Sequence, residues 1–247
     1  MKAFKALVSA ELKLSFRGVD MFIFAICMPI VVLVFIGMLY GDRAAFEGAS
    51  YTFLEQSFGA VSTIAICAGG VMGLPLVIAD YRHRKILKRF KVTPVSPTMI
   101  LLVQVLVYAL YSFVSLLSVY AVGALCFGFV LKGSWLHFIG AYLMVMLSMF
   151  SIGILVGGIA PNSKIAGVAA SVLYFPMLIL SGATLPYEIM PAALQKLANV
   201  LPLTQGIKLI KAASLGLSME AVFSSILIMC LIAVFCSTVS ILFFKWE

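Results

Sequence analysis

Six apolar stretches of membrane length constrain this chain more than anything else in it. They fall near residues 20–40, 57–79, 99–122, 136–158, 165–184 and 221–244. A helix needs about 20 apolar residues to cross the hydrocarbon of a bilayer, and each stretch is long enough. In lipid every peptide N–H and C=O must find its partner within the protein, so such segments become helices or closed barrels. Barrel strands alternate apolar and polar residues; these runs do not. The expected fold is therefore an all-α integral membrane protein, a single membrane domain over 1–247 with six transmembrane helices. Of the 247 residues, 64% are hydrophobic and 11% charged, against roughly 25% charged in a soluble domain.

The placement of the bases orients the spans. A net charge of +8 would suggest nucleic acid as partner of a soluble protein. Here the bases flank apolar spans, and the excess of Lys and Arg on cytoplasmic loops accounts for them. With both termini inside, the cytoplasmic face holds Lys2, Lys5, Lys13, Arg17, the six bases of 82–91, Lys164 and Lys245. The outer face holds only Arg43, Lys132, Lys196, Lys208 and Lys211. The opposite orientation would reverse that bias. The first basic region is too long, and the apolar run after it too extended, for a cleavable signal peptide.

Six of the bases crowd into the connection 80–98, in the run Arg82-His83-Arg84-Lys85-Ile86-Leu87-Lys88-Arg89-Phe90-Lys91. On a helical wheel His83, Ile86, Leu87 and Phe90 share one side and the bases take the other. A short amphipathic helix between two spans is a handle for a cytoplasmic partner; the plainer alternative is a positive-inside anchor. Thr93-Pro94 then sets how the loop enters span three, because the residue before proline is pushed out of the helical region. Residues 1–18 form a second amphipathic segment. Phe4, Leu7, Val8, Leu12 and Phe16 lie on one side and Lys2, Lys13 and Arg17 opposite, the pattern of a helix lying along the membrane interface; a flanking anchor with no mechanical role is the alternative.

The connection 185–220 is too long and too apolar for a simple loop. Ser181-Gly182, Pro186, Pro191 and Pro202 punctuate it, and a break at Pro202 predicts two short helices. Two arrangements stay open for them: dipping back into the outer leaflet, or lying as a cap on the outer surface.

The chemistry that is missing narrows function. Residues 81 to 187 contain no carboxylate, whereas ion-coupled carriers rely on ionisable groups inside the membrane; the spans here offer Gln104 and a few hydroxyls. No His-Glu-x-x-His, Gly-x-Ser-x-Gly or phosphate-binding loop occurs, and no Gly is followed by Lys. Cys27, Cys67, Cys126, Cys230 and Cys236 lie in apolar runs with no metal-ligand spacing and read as small hydrophobes. The chain is read as a non-enzyme without a catalytic, metal or cofactor site; if it performs work, another polypeptide supplies the energy. Gly69-Gly-Val-Met-Gly73 and Gly153-Ile-Leu-Val-Gly157 are close-approach patterns, for which packing within the chain is the default. Pro29, Pro75 and Pro176 interrupt spans.

Taken in order, these features resemble a known family. The loop Ala79-Asp-Tyr-Arg-His-Arg-Lys-Ile-Leu-Lys-Arg-Phe-Lys-Val-Thr-Pro-Val-Ser-Pro97 is similar to the first cytoplasmic loop of ABC-2 type transporter permeases. The stretch Leu180-Ser-Gly-Ala-Thr-Leu-Pro186, continuing through Pro191 to Leu201-Pro-Leu203 and Gly216, is similar to that family's segment after span five. His83 and Lys85-Ile86 depart from the Glu and Gly-Thr that many members carry there. The resemblance implies a permease subunit of a bacterial cytoplasmic-membrane exporter, paired with itself or a related chain. Two cytoplasmic ATPase subunits, holding ATP and Mg, would push on the loop helix. The cargo implied is a hydrophobic or amphipathic drug, lipid or peptide. A non-transporting scaffold whose basic loop binds anionic lipid is the alternative.

Overall fold

The computed structural model describes residues 2–41, 43–46, 48–86, 96–183 and 190–243. Among these the regular structure is helical, with one isolated bridge between Ala44 and Thr52 and no strand. Helix α1 spans Lys2–Arg17. Six helices are long and apolar enough to cross a membrane: α2 (Ile23–Tyr40), α3 (Phe53–His83), α4 (Thr98–Phe127), α5 (Trp135–Ile159), α6 (Ser163–Leu180) and α9 (Met219–Phe243). Two shorter helices, α7 (Ala192–Ala198) and α8 (Pro202–Leu215), lie between α6 and α9.

Helix α3 is the axis of the bundle. Within its most apolar window 83% of residues are buried, against 22% for α2 and α6 and 17% for α9. The outer faces of α2, α6 and α9 are the ones left for lipid or a partner chain. Helix α3 begins on a reciprocal capping box: Thr52 Oγ1 accepts from Glu55 N–H at 3.2 Å, and the Glu55 carboxylate accepts from Thr52 N–H at 2.8 Å. Such a cap satisfies donors at the helix start that have no intrahelical partner.

Two of the three span prolines change the local winding. The π turn Ile23–Cys27 ends two residues before Pro29, and the π turn Ala68–Gly73 ends two residues before Pro75. A proline ring crowds the carbonyl four residues back and donates nothing to it, and a widened turn relieves that crowding. Pro176 sits inside α6 without such a turn.

Small residues let α3 and α5 touch. A Cβ on Gly153 would overlap the Gly70 carbonyl oxygen, and one on Gly157 would lie 3.0 Å from the Pro75 Cα. The two glycine patterns therefore face each other, as a default of intrachain packing requires. Helix α9 packs on the other side of α5, where Ser148 Oγ donates to the Met229 carbonyl at 2.8 Å. At the end remote from the basic loop, Phe58 stacks on Phe129 with centroids 4.1 Å apart and lies against Tyr120 and Phe138.

Helix α8 starts at Pro202 and is embedded among α3, α5 and α9. Leu203, Leu209 and Ile210 are fully buried, and a Cβ on Gly59 would lie 3.1 Å from the Lys211 backbone nitrogen. The Gly133 N–H donates to the Ser214 carbonyl at 2.9 Å, tying the 128–134 connection to it. Within this segment α8 is buried between spans, whereas α7 is largely exposed.

Candidate functional site at the basic end of the bundle

The basic end is where α1, the C-terminus of α3 and the turn between α5 and α6 come together. Sequence reasoning grouped Arg82 through Phe90 as one helix. Instead, α3 itself carries Arg82 and His83 and then stops. Lys85 adopts φ 57°, the left-handed region that a side chain with a Cβ rarely enters. The helix of α3 is therefore broken at Arg84–Lys85, and Ile86 is again helical. Leu87, Lys88, Arg89, Phe90, Thr93 and Pro94 lie outside the described residues, as does Pro186.

Arg82 points into the fold. Its Nη1 donates to the carbonyls of Gly157 at 3.2 Å, Gly158 at 2.7 Å and Ala160 at 2.9 Å. These are carbonyls at the end of α5, where helical partners run out, and a cation there also suits the helix dipole. Arg82 is a clamp between α3 and the α5–α6 turn, a contact that its place in a run of bases did not suggest. His83, Arg84 and Lys85 are exposed and Ile86 is half-buried. Arg84 Nε pairs with Asp80 one turn earlier at 2.9 Å, a solvent-facing pair of small energetic weight.

Helix α1 is docked on the bundle by the stripe read from its sequence. Phe4, Leu7, Val8 and Leu12 are half-buried against a cluster that includes Ala25, Val103, Val107 and Tyr111; the Phe16 side chain lies outside the described residues. Polar bonds fix the docking. Ser15 Oγ donates to Tyr111 Oη at 3.1 Å. Tyr81 Oη donates to the Glu11 carboxylate, 2.8 and 2.9 Å from its two oxygens, and Gln104 Nε2 donates to Tyr81 Oη at 3.1 Å. One chain of bonds thus joins α1, the end of α3 and the start of α4. Glu11 and Tyr81 were not singled out from sequence. The available signal was Gln104, an amide inside an apolar span that needs a partner.

Beside this network a cleft of about 530 Å³ runs between α1, α2, α3, α4 and α6. Its basic end is polar, with Glu11, Tyr81 and Gln104; farther along, Met72, Leu76 and Phe175 make it apolar.

At the other end, the residues read as shaping the outer segment act as stops and starts. Ser181 caps α6, with its N–H on the Met177 carbonyl, and Gly182 follows at φ 94°. Pro191 precedes α7, and Pro202 opens α8. Lys132 Nζ pairs with Glu55 at 2.7 Å and donates to the Ser50 carbonyl at 3.1 Å. Lys208 donates to the Asn199 side chain, and burial pushes its ammonium below its ordinary pKa.

Six membrane-length helices, a docked amphipathic helix and a half-length helix buried from the far end define a polytopic helical membrane protein. The sequence model of the ABC-2 type transporter family matches residues 2–215, from the start of α1 to the last residue of α8, and the chain belongs to that family. The matched model is that of the family's membrane domain. Two curated relatives are both Nodulation protein J. That of Rhizobium leguminosarum bv. viciae is 34% identical over 85 residues, 34% of this chain and 33% of that protein. That of Neorhizobium galegae is 36% identical over 70 residues, 28% of this chain and 27% of that protein. The chain thus aligns with about a third or less of the length of these relatives.

Proposed function

We propose that this chain is the permease of an ATP-driven exporter in a bacterial cytoplasmic membrane, with both termini and the basic end facing the cytoplasm. A separate pair of ATPase subunits, loaded with ATP and Mg, docks on the exposed residues His83, Arg84 and Lys85, on the half-buried Ile86 and on the loop after them. Closure of that pair shifts the end of α3, and Arg82 passes the shift to the α5–α6 turn. The cargo is hydrophobic or amphipathic and leaves along the interface with a second permease. The observation that carries this reading is the family match over residues 2–215. The excess of Lys and Arg at one end of the spans supports the orientation.

The test is purification of the tagged chain from its native membrane in mild detergent, with co-purifying proteins identified by mass spectrometry. A stoichiometric phosphate-loop ATPase, lost on Ile86→Asp or Phe90→Asp, is the expected result. A second six-span chain in the same sample would identify a heterodimer. A folded chain that brings down no ATPase, and loses function on charge reversal at Arg84 and Lys88 but not on Phe90→Asp, would instead establish the lipid-binding scaffold.

A further inference from the structure

The cleft beneath α1 has three properties that together specify a ligand. The first is charge. Among the described residues its wall carries one ionisable acid, Glu11, and no Lys, Arg or His. Tyr81 donates to the Glu11 carboxylate, which as an anion accepts at about four lone-pair sites, so it keeps acceptor capacity toward the cleft. No described cation forms an ion pair with it.

The second property is aromatic lining. Phe24, Tyr81, Tyr108, Tyr174 and Phe175 all border the space. Ring faces attract cations and repel anions. An anionic head group would meet both these faces and a carboxylate in a medium of low dielectric, where like charges repel strongly.

The third is shape and access. The volume of about 530 Å³ falls within the roughly 300–1,000 Å³ of small-molecule sites. From Tyr81 to Ala68, both on the wall, the helix axis advances about 20 Å. The rim carries Leu14, Phe24 and Phe175, which are 66%, 55% and 52% exposed. The opening is therefore greasy and lateral, suited to a molecule arriving from hydrocarbon.

We infer that this cleft is a binding site for a membrane-partitioned cationic amphiphile: a protonated amine or quaternary ammonium head on Glu11 and the aromatic rings, with its apolar body along α3 toward Ala68. The place of such binding in a transport cycle rests on the export reading. The binding itself does not, so a failed binding test leaves the ATPase test standing, and the reverse also holds.

The test uses the full chain purified in neutral maltoside detergent. Three diphenylhexatriene probes share one apolar body and differ in charge: the trimethylammonium derivative, the propionate and the parent compound. Saturable binding is read against protein-free micelles. The trimethylammonium probe is expected to bind at least about tenfold more tightly than the propionate. Glu11→Gln keeps an acceptor for Tyr81 but removes the charge. It should weaken the cationic probe by about tenfold and leave the parent compound unchanged. Leu76→Trp fills the apolar part and should weaken all three. Equal affinity for the three probes would overturn the inference, as would a cationic affinity indifferent to Glu11→Gln. If Glu11→Gln does not fold, indifference of the cationic probe to Leu76→Trp serves the same end. Absence of any saturable binding, together with a photo-cross-linker at Phe175 joining two copies, would overturn it too and assign the cleft to permease–permease contact.

Discussion

Gly153 stands directly against the Gly70 carbonyl, and no methyl group fits between them. Helices α3 and α5 approach there at backbone distance, in the middle of the chain's most buried element. Gly153→Ala should force the two helices apart and destabilise the protein by about 1–3 kcal/mol, the usual cost of overpacking. Gly140→Ala on the same helix meets nothing within 4 Å. It should be neutral or stabilising by up to about 1 kcal/mol through helix propensity. Unfolding of the detergent-solubilised variants in denaturing detergent measures both.

Arg82 is expected to behave as a structural residue, not as a contact for a partner. Arg82→Gln leaves the carbonyls of Gly158 and Ala160 without a cationic donor and should cost about 2 kcal/mol, the scale of a charged hydrogen bond. The same variant should still bring down the ATPase wherever enough folded protein survives. Loss of the ATPase with stability unchanged would return Arg82 to the docking surface.

Lys85 offers a test of backbone strain at the end of α3. Glycine enters the left-handed region without a Cβ penalty, so Lys85→Gly should stabilise, or at worst leave unchanged, the folded chain. Lys85→Val should destabilise by about 1–2 kcal/mol, because a branched Cβ is worst placed there. Thermal unfolding of the two variants beside wild type decides it.

At the far end, Thr52→Ala should cost about 1 kcal/mol by removing the helix cap. Glu55→Ala should cost more, because Glu55 holds both the Thr52 N–H and Lys132. Lys132→Met removes a partly exposed ion pair and a bond to the Ser50 carbonyl and should cost about 0–1 kcal/mol, less at high salt. Parallel denaturation at low and high salt separates the three.

What could be read from the chain follows a physical divide. The spans were legible because a charge-free run of membrane length admits few other folds. The break at Pro202 was legible because proline opens helices but does not continue them. The stripe of Phe4, Leu7, Val8 and Leu12 was legible from helical period alone. What was hidden depends on pairs remote in sequence. Glu11 and Tyr81 lie 70 positions apart, and nothing local in either announces the other. Arg82 sits in a run of bases, where composition says surface, yet its guanidinium turns to the carbonyls of α5. Lys85 hides a helix break because lysine is a good helix former. Burial of α8 was undecided because its length suits a surface helix as well as a buried one.

The π turn Ala68–Gly73 gives α3 two rotational phases on one axis. A widened turn takes in about one residue more than an α turn, so the faces before and after it are offset by roughly 100°, one residue's share of a 3.6-residue turn. Before it, Gly59 addresses α8; within and after it, Gly70 and Pro75 address α5, and Tyr81 addresses α1. A single uninterrupted wheel drawn through 53–83 would put some of these residues on the wrong side. A twist applied at the basic end therefore meets its neighbours in a different angular order from one applied at the far end. Any scan of this helix by substitution should be plotted on two wheels joined at Ala68–Gly73.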